Sequence, residues 1–376
     1  MTTDLTAMPD PLIDDQHPEH RHTPEKKPVD HSLLIRALTS LALPIFFVLM
    51  FSLSYVSAFH SPTPDHAPLI IVGASQEATG IAGGIETKAP GAFDLTTTTH
   101  TATAIHKIKN RDAIGAIVLG QKSITTYVAS GGSPSQASVV KSVAAAIGAE
   151  LKVPVVVKDL LPVNTNDSAG TGLLYFIIIC TIGGYLTITV LSQAAAALKL
   201  SRRYLILGVM SVLVPVIEFA IASLFVGNFG ADTPAILAML AVGAVYTFTV
   251  GTITILVNQV LGQAAIFGVL TLVVFLNLPS AGGAIPASLL PPFWQGLHAV
   301  WFGSAALEPI RSIIYFNGVG VWPWLIQLGV WLVATMAISL LVHAVKSRRG
   351  TPDDRAVQSD EAPSNIDNAA VIDGFR

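Results

Sequence analysis

The sequence predicts a polytopic α-helical membrane protein. Six transmembrane helices are expected, with an outer re-entrant helical segment and an extracytoplasmic α/β domain between helices 1 and 2. Three observations predict this. Charged residues make up only 12% of the 376 residues, against about 25% in an average soluble protein. The charges are unevenly placed: Gly172 to Val345 holds only Lys199, Arg202, Arg203, Glu218, Asp232, Glu308 and Arg311. Within that stretch, apolar runs reach the roughly 20 residues that a spanning helix requires.

The first span is residues 33–59. A cleaved signal peptide competes for this stretch, because Val56-Ser57-Ala58 has a small-x-small pattern. Signal peptides carry an apolar core of roughly 7–15 residues. This run is nearly twice that, which favours an uncleaved anchor. The polar residues before it, 1–31, include the run His17-Pro-Glu-His20-Arg-His22 and read as a disordered cytoplasmic tail. The other spans are expected at 172–198, 204–226, 234–257, 263–278 and 321–345, and a second disordered cytoplasmic tail at 346–376.

Orientation follows from cations in the short flanks. Lys26 and Lys27 precede span one and Arg36 stands in its first turn, Lys199, Arg202 and Arg203 separate spans two and three, and Lys346, Arg348 and Arg349 follow span six. With six spans all three clusters fall on one side. Both termini are then cytoplasmic, residues 60–171 extracytoplasmic, and the expected location is the plasma membrane.

Residues 60–171 read as a small α/β unit. Pro68–Gly73 and Ala113–Leu119 are short apolar runs of the buried-strand type. Phe93–Thr98 is β-prone. Ser123–Val128 alternates and can pair beside the second run across the turn Gly120-Gln121-Lys122, and Val153–Val157 forms a last strand. Helices are expected at Ala102–Lys109 and Ser133–Glu150. Ser133 caps the latter, Pro134 occupies its first position, and Val139, Val140, Val143 and Ile147 form one face. No catalytic constellation is visible. His100 and His106 read as surface histidines, and Ser130-Gly131-Gly132-Ser133 as a turn lacking the strand–nucleophile–helix elbow of hydrolases. Cys180, the single cysteine, reads as a small apolar helix residue. The net charge of −3 gives no basis for nucleic-acid binding.

Inside the spans, Glu218 is the sharpest residue. A charge at mid-bilayer costs about 2.5–3.5 kcal/mol on insertion scales, so it should face the bundle or a water-filled path. Pro215 lies on the same helix face and frees a backbone carbonyl. Together they are candidates for a transport path, with an interhelical hydrogen bond as the structural alternative. Gly243, Thr247 and Gly251 have the spacing of close helix packing. Asn258 and Gln259 head a polar, uncharged loop that could touch a soluble partner. After residue 278 the chain stays apolar but is broken by prolines and glycines. All five tryptophans fall between Trp294 and Trp331, and Trp concentrates at membrane interfaces. Residues 281–316 are therefore expected to dip into the outer leaflet and return. Pro291, Pro292, Glu308 and Arg311 are the candidate outer gate, with Glu308 and Arg311 close enough on a helix to pair.

This order of anchor, outer domain, five spans and a Pro-rich outer segment resembles the permeases of the type-2 ABC exporter superfamily, in the phage-infection-protein-like (YhgE/Pip-like) branch. Three stretches carry the resemblance: Asp112-Ala-Ile-Gly-Ala-Ile-Val118; Leu161-Pro162 through Asp167-Ser-Ala-Gly170; and Gly282-Gly283-Ala-Ile-Pro286 with Leu290-Pro-Pro-Phe-Trp294 and Arg311-Ser-Ile-Ile-Tyr315-Phe316-Asn-Gly318. Together they cover about residues 33–345. The resemblance implies a permease subunit that works as a homodimer and exports an amphipathic or lipid-like substrate. It also implies a separate ABC ATPase subunit, since the chain has no Gly-x-x-x-x-Gly-Lys-Ser/Thr loop. ATP would enter only through that subunit, and no other cofactor or metal is expected. The family's coupling segment corresponds to Leu198–Tyr204, with Lys199, Arg202 and Arg203, and Asn258 and Gln259 are the other candidates for cytoplasmic coupling. The chain itself is not expected to be an enzyme. The rival expectation is a non-transporting envelope membrane protein whose outer domain binds a partner.

Overall fold

The computed structural model describes residue 35 and residues 38–349. The expected tails at 1–31 and beyond residue 349 lie outside the described residues.

Among the described residues five helices are long and apolar enough to cross a membrane: Leu38–Phe59, Gly172–Ala194, Leu200–Val226, Thr233–Ser280 and Val321–Arg348. At about 1.5 Å per residue, the shortest matches a hydrocarbon core about 30 Å thick. The fourth, 48 residues long, would exceed twice that thickness if straight. It is not straight. Gly262 breaks it with φ +54°, and a Cβ on Gly268 would sit 2.5 Å from Leu261 Cδ1 and 2.9 Å from Val257 Cγ1. Residues seven and eleven positions apart cannot meet along one helix axis. The chain therefore turns at Gly262 and packs back on itself.

The helices of the first part are α1 (Leu38–Phe59, with a π turn at Ser52–Val56), α2 (Ser75–Lys88), α3 (Thr101–Lys109) and α4 (Pro134–Leu151). Those that follow are α5 (Gly172–Ala194), α6 (Leu200–Val226), α7 (Thr233–Leu261), α8 (Ala265–Val269) and α9 (Asn277–Ser280). A π-helical stretch, Leu270–Phe275, joins the last two. Then come α10 (Pro292–Val300), α11 (Phe302–Tyr315) and α12 (Val321–Arg349). Helix α12 thus continues past residue 345, where the tail was expected to begin.

Helix α7 is the hub, packed by α5, α6, α11 and α12. Its inward face is rich in Gly and Thr, which lets backbones approach. A Cβ on Gly184 of α5 would lie 2.6 Å from Thr247 O, and one on Gly243 would lie 2.7 Å from the Phe176 ring. Thr247, Thr249, Thr252 and Thr254 of α7 each return their hydroxyl to the carbonyl four residues back, so none of these buried-face hydroxyls is left open in an apolar setting. The outer face of α6 leaves Leu205, Val209, Val212, Ile221, Leu224 and Phe225 exposed. A continuous apolar surface of this kind is what a bilayer covers.

Between α1 and α5 lies a five-stranded sheet, order β2-β1-β3-β4-β5. The strands are β1 (Ala67–Val72), β2 (Phe93–Thr98), β3 (Gly115–Val118), β4 (Ile124–Val128) and β5 (Val155–Asp159). All pairs are parallel except β3 with β4, the pair joined by the short Gly120–Lys122 turn. Ser133 caps α4 through Oγ, which accepts from Gln136 N at 3.3 Å, and Pro134 sits at its start. Val140 and Ile147 are buried on the sheet together with Ala137 and Ala144, while Val139 and Val143 flank them. Helix α2 has no counterpart in the sequence reading. Gly80, Gly83 and Gly84 depress its helix propensity, and it is held instead by Ala78 and Ile85 packing on the sheet.

The Pro-rich segment folds as two short helices, one of them deeply covered. Every residue of α11 from Phe302 to Ser312 is buried, against α5, α7, α9 and α12. Pro309 stands inside α11 without ending it, although proline removes a backbone donor from the helix. Three indoles tie the segment down. Trp294 Nε1 donates to Ser57 Oγ at 3.2 Å, Trp301 Nε1 to Leu272 O at 3.3 Å, and Trp331 Nε1 to Val300 O at 2.8 Å.

Candidate functional site

Glu308 and Arg311 lie one turn apart on α11. Arg311 Nη1 donates to Glu308 Oε1, and its Nη2 donates to Gly282 O at 2.9 Å. The second carboxylate oxygen is taken from the sheet domain. Arg111 Nη2 donates to Glu308 Oε2, while Nη1 donates to Ser312 Oγ and to Glu308 O. Arg111 occupies the turn between α3 and β3 with φ +67°, a left-handed conformation uncommon outside glycine. That conformation turns the α3–β3 connection toward α11. The Arg111 guanidinium also lies 5.2 Å from the Phe316 ring centroid.

His298 of α10 completes the cluster. Its Nδ1 donates to Ser280 O at 2.8 Å, and its Nε2 faces Glu308 Oε1 at 4.0 Å. A Cβ on Gly282 would sit 2.8 Å from His298 Cε1, and the residue has φ +79°. Only glycine satisfies both conditions there. Burial pushes the His298 pKa down, against the pull of Glu308. Burial alone would raise the Glu308 carboxyl, but Arg311 and Arg111 more than offset it and hold the group below the usual carboxylate range. The cluster near neutral pH therefore contains two guanidinium cations, one carboxylate and a neutral imidazole. A cavity of about 250 Å³ opens beside it, between the sheet domain and the α10–α11 segment.

The Ser130–Ser133 turn docks on the end of the same helix. A Cβ on Gly131 would meet the Tyr315 ring at 2.7 Å, and one on Gly132 the Phe316 ring at 3.1 Å. Gln136 Nε2 donates to Ser288 Oγ at 2.9 Å, and Gln295 Nε2 to Asp65 Oδ2 at 2.9 Å. The glycine pair is thus a contact surface for aromatic rings.

The other residues marked out in the sequence fall into separate places. Pro291 and Pro292 start α10 and do not line the cavity. Pro215 is buried against Gly243 of α7. Glu218, on the same face, is half-buried, and no hydrogen bond or ion pair joins it to another described residue. At the other end of the bundle Arg203 turns inward. Its Nε donates to Leu198 O at 3.1 Å, Nη2 to Ala196 O at 2.8 Å and Nη1 to Ser192 Oγ at 3.3 Å. It thereby caps the carbonyls that follow α5. Arg203, Asn258 and Gln259 line one cavity of about 340 Å³ with His343, whereas Lys199 and Arg202 are exposed. Gln259 is engaged by Ser339 and Lys346.

Two features escaped sequence reading. Arg111 meets Glu308 across 197 residues, and nothing local announces it. A fully buried polar chain also runs through the bundle. Asn277 Nδ2 donates to Tyr246 Oη at 2.7 Å, and Tyr246 Oη lies 2.6 Å from Thr181 Oγ1. A lone Asn in the apolar run after residue 263 was the available signal for it. Comparison with protein-family models, curated proteins and solved structures gives no match to this chain.

Proposed function

We propose that the chain is the permease subunit of a type-2 ABC-like exporter of the YhgE/Pip-like branch. It moves an amphipathic or lipid-like substrate across or out of the plasma membrane as a homodimer driven by a separate ATPase. In this reading the broken apolar helix at 233–280 is two spans, which gives six in all. Both termini are then cytoplasmic and residues 60–171 extracytoplasmic. The observation that carries the proposal is the buried Arg111–Glu308–Arg311 cluster. It connects the outer domain to α11, a helix inserted among the spans, so that displacement of either is felt by the other. Glu218 supplies a polar group on the α6 face beside Pro215. The cavity with Arg203, Asn258 and Gln259 lies where a cytoplasmic motor would press.

Purification in mild detergent from the native host, followed by mass spectrometry, tests the class. The expected result is a stoichiometric ABC-type ATPase. Its reproducible absence with the chain intact removes the ABC assignment. Glu218→Gln then tests the path: substrate efflux from cells should fall while the protein level holds.

A second reading is a non-transporting envelope protein whose outer domain binds a partner. It is favoured by the open edge of β5, where Val156 and Val157 are exposed in the manner of strands that accept another chain. This reading requires that loss of residues 65–165 abolish function while Glu218→Gln is neutral.

A further inference from the structure

The cavity beside α11 has a charge imbalance. Its cluster carries Arg111 and Arg311 against Glu308 alone, with His298 kept neutral by burial. No other carboxylate among the described residues lines it. One positive charge is left without a protein counter-charge. Guanidinium groups carry five donors each. The bonds to Glu308, Ser312 and Gly282 use three of these donors on Arg111 and two on Arg311, all on Nη atoms, so that Nε and at least one Nη hydrogen of each arginine have no partner among the described residues. Gln136 and Ser288 supply further polar atoms on the wall, and Phe316 and Trp324 supply apolar surface. Arg311 is nearly buried, at 8% side-chain exposure, while Arg111 keeps 23%, so the site has a wet entrance and a dry end.

We infer that this cavity binds a single oxyanion of the phosphate class, held between Arg111 and Arg311. Two sources present that chemistry, a phospholipid headgroup and free phosphate. Pockets for whole small molecules usually run about 300–1,000 Å³. At about 250 Å³ this one admits a headgroup or a small anion, with any acyl chains remaining outside. Paired arginines are suited to phosphate because the planar fork matches two oxygens at once. The inference deepens the permease proposal by naming the chemical class recognised at the same cluster. It rests on that proposal only for what the bound group is used for, since binding is read without transport.

The test uses the full chain in neutral detergent, titrated with dihexanoyl phosphatidylglycerol, with dihexanoylglycerol, and with inorganic phosphate, by calorimetry and by thermal unfolding. Arg111→Gln brings the cluster to neutrality and should weaken anion binding by more than about tenfold, as expected for removing a unit charge a few ångströms away. Glu308→Gln acts in the opposite direction. It adds a second uncompensated cation, so the anion should bind more tightly and raise the unfolding temperature of this variant more than that of the unaltered chain. A merely structural role would make both variants lose binding together. Should Glu308→Gln fail to fold, Gln136→Leu replaces it and should weaken binding several-fold. Saturation by phosphatidylglycerol that free phosphate does not reproduce identifies the headgroup as ligand, and equal saturation by free phosphate identifies a small anion. Binding of neither anion overturns the inference, as does equal binding by dihexanoylglycerol, which lacks the phosphate, or equal weakening in the arginine and glutamate variants. Anion binding with no transport would defeat the permease proposal and leave this one standing.

Discussion

Removing the Glu308 carboxylate is the most informative single perturbation. The side chain is 5% exposed and bridges two guanidinium groups, one 8% and one 23% exposed. A unit pair near 4 Å is worth about 4 kcal/mol at an effective dielectric of about 20. Two such pairs gross about 8 kcal/mol, most of it offset by desolvating three ions. The net effect of breaking a buried pair by deleting one partner is about 3–5 kcal/mol. Glu308→Gln should therefore destabilise the fold by about that much, because it strands Arg311 without a counter-charge. Arg111→Gln should do less, about 1–3 kcal/mol, since water reaches Arg111 and screens the loss. The decisive comparison is Glu308→Leu with Arg311→Met. Replacing a buried pair by apolar residues is often close to neutral, so, although Arg111 still loses its carboxylate, the double variant should be more stable than the sum of the two singles by about 1–3 kcal/mol. Thermal unfolding of the purified chain, followed by tryptophan emission, reads this directly, because Trp324 lies 5.4 Å from the His298 ring. Additivity within about 0.5 kcal/mol would refute the claim that these side chains form one unit.

Other outcomes follow from the same geometry. Gly184→Ala places a methyl 2.6 Å from Thr247 O, and backbone cannot yield as a side chain can, so a loss of about 1–3 kcal/mol is expected in the same unfolding assay. Gly131→Ala should release the sheet domain from Tyr315, detected as faster limited proteolysis between residues 160 and 171 with α5 and α7 still protected. His298 is depressed by burial, so the unfolded chain binds its proton more readily. The stability it permits is present above the unfolded value near 6.5 and lost as pH falls below it. His298→Asn should flatten the decline in stability between pH 7 and pH 5, and an unchanged slope would remove His298 as its source. Asn277→Leu should cost about 1–3 kcal/mol, since it strips Tyr246 Oη of a buried donor.

Much of this arrangement is legible in the sequence because it is local. The Pro68–Gly73 run became β1, Ser133 and Pro134 set the start of α4, and the spacing of Glu308 and Arg311 allowed their pairing on α11. Those features rest on periodicity, capping and one helical turn. What was illegible is non-local. Helix α2 is glycine-rich and exists because the sheet beneath it rewards Ala78 and Ile85, so propensity misleads. Arg111 sits in an ordinary polar turn, and its partner lies 197 positions away. The tryptophans concentrated where an interface was expected, yet Trp294, Trp301 and Trp331 spend their N–H groups on protein acceptors. Composition places such residues near a boundary but does not say what they touch.

The position of α11 is the physical point on which the parts meet. An apolar helix would fill the same space with less penalty, because three desolvated ions rarely improve stability over well-packed hydrocarbon. Ions do restrict the ways two surfaces can dock, since each displaced orientation leaves a charge unmatched. Arg111 reaches Glu308 through a left-handed turn residue, Gly282 clears room for His298, and Gly131 and Gly132 clear room for Tyr315 and Phe316. These adjustments come from three separate stretches of chain, and all serve one orientation of the sheet domain on α11. Because α11 is itself buried against α5, α7 and α12, that orientation cannot change without repacking the bundle. A group that competes with Glu308 for the two arginines would therefore act on the spans through the sheet domain, and an oxyanion is the chemistry able to compete.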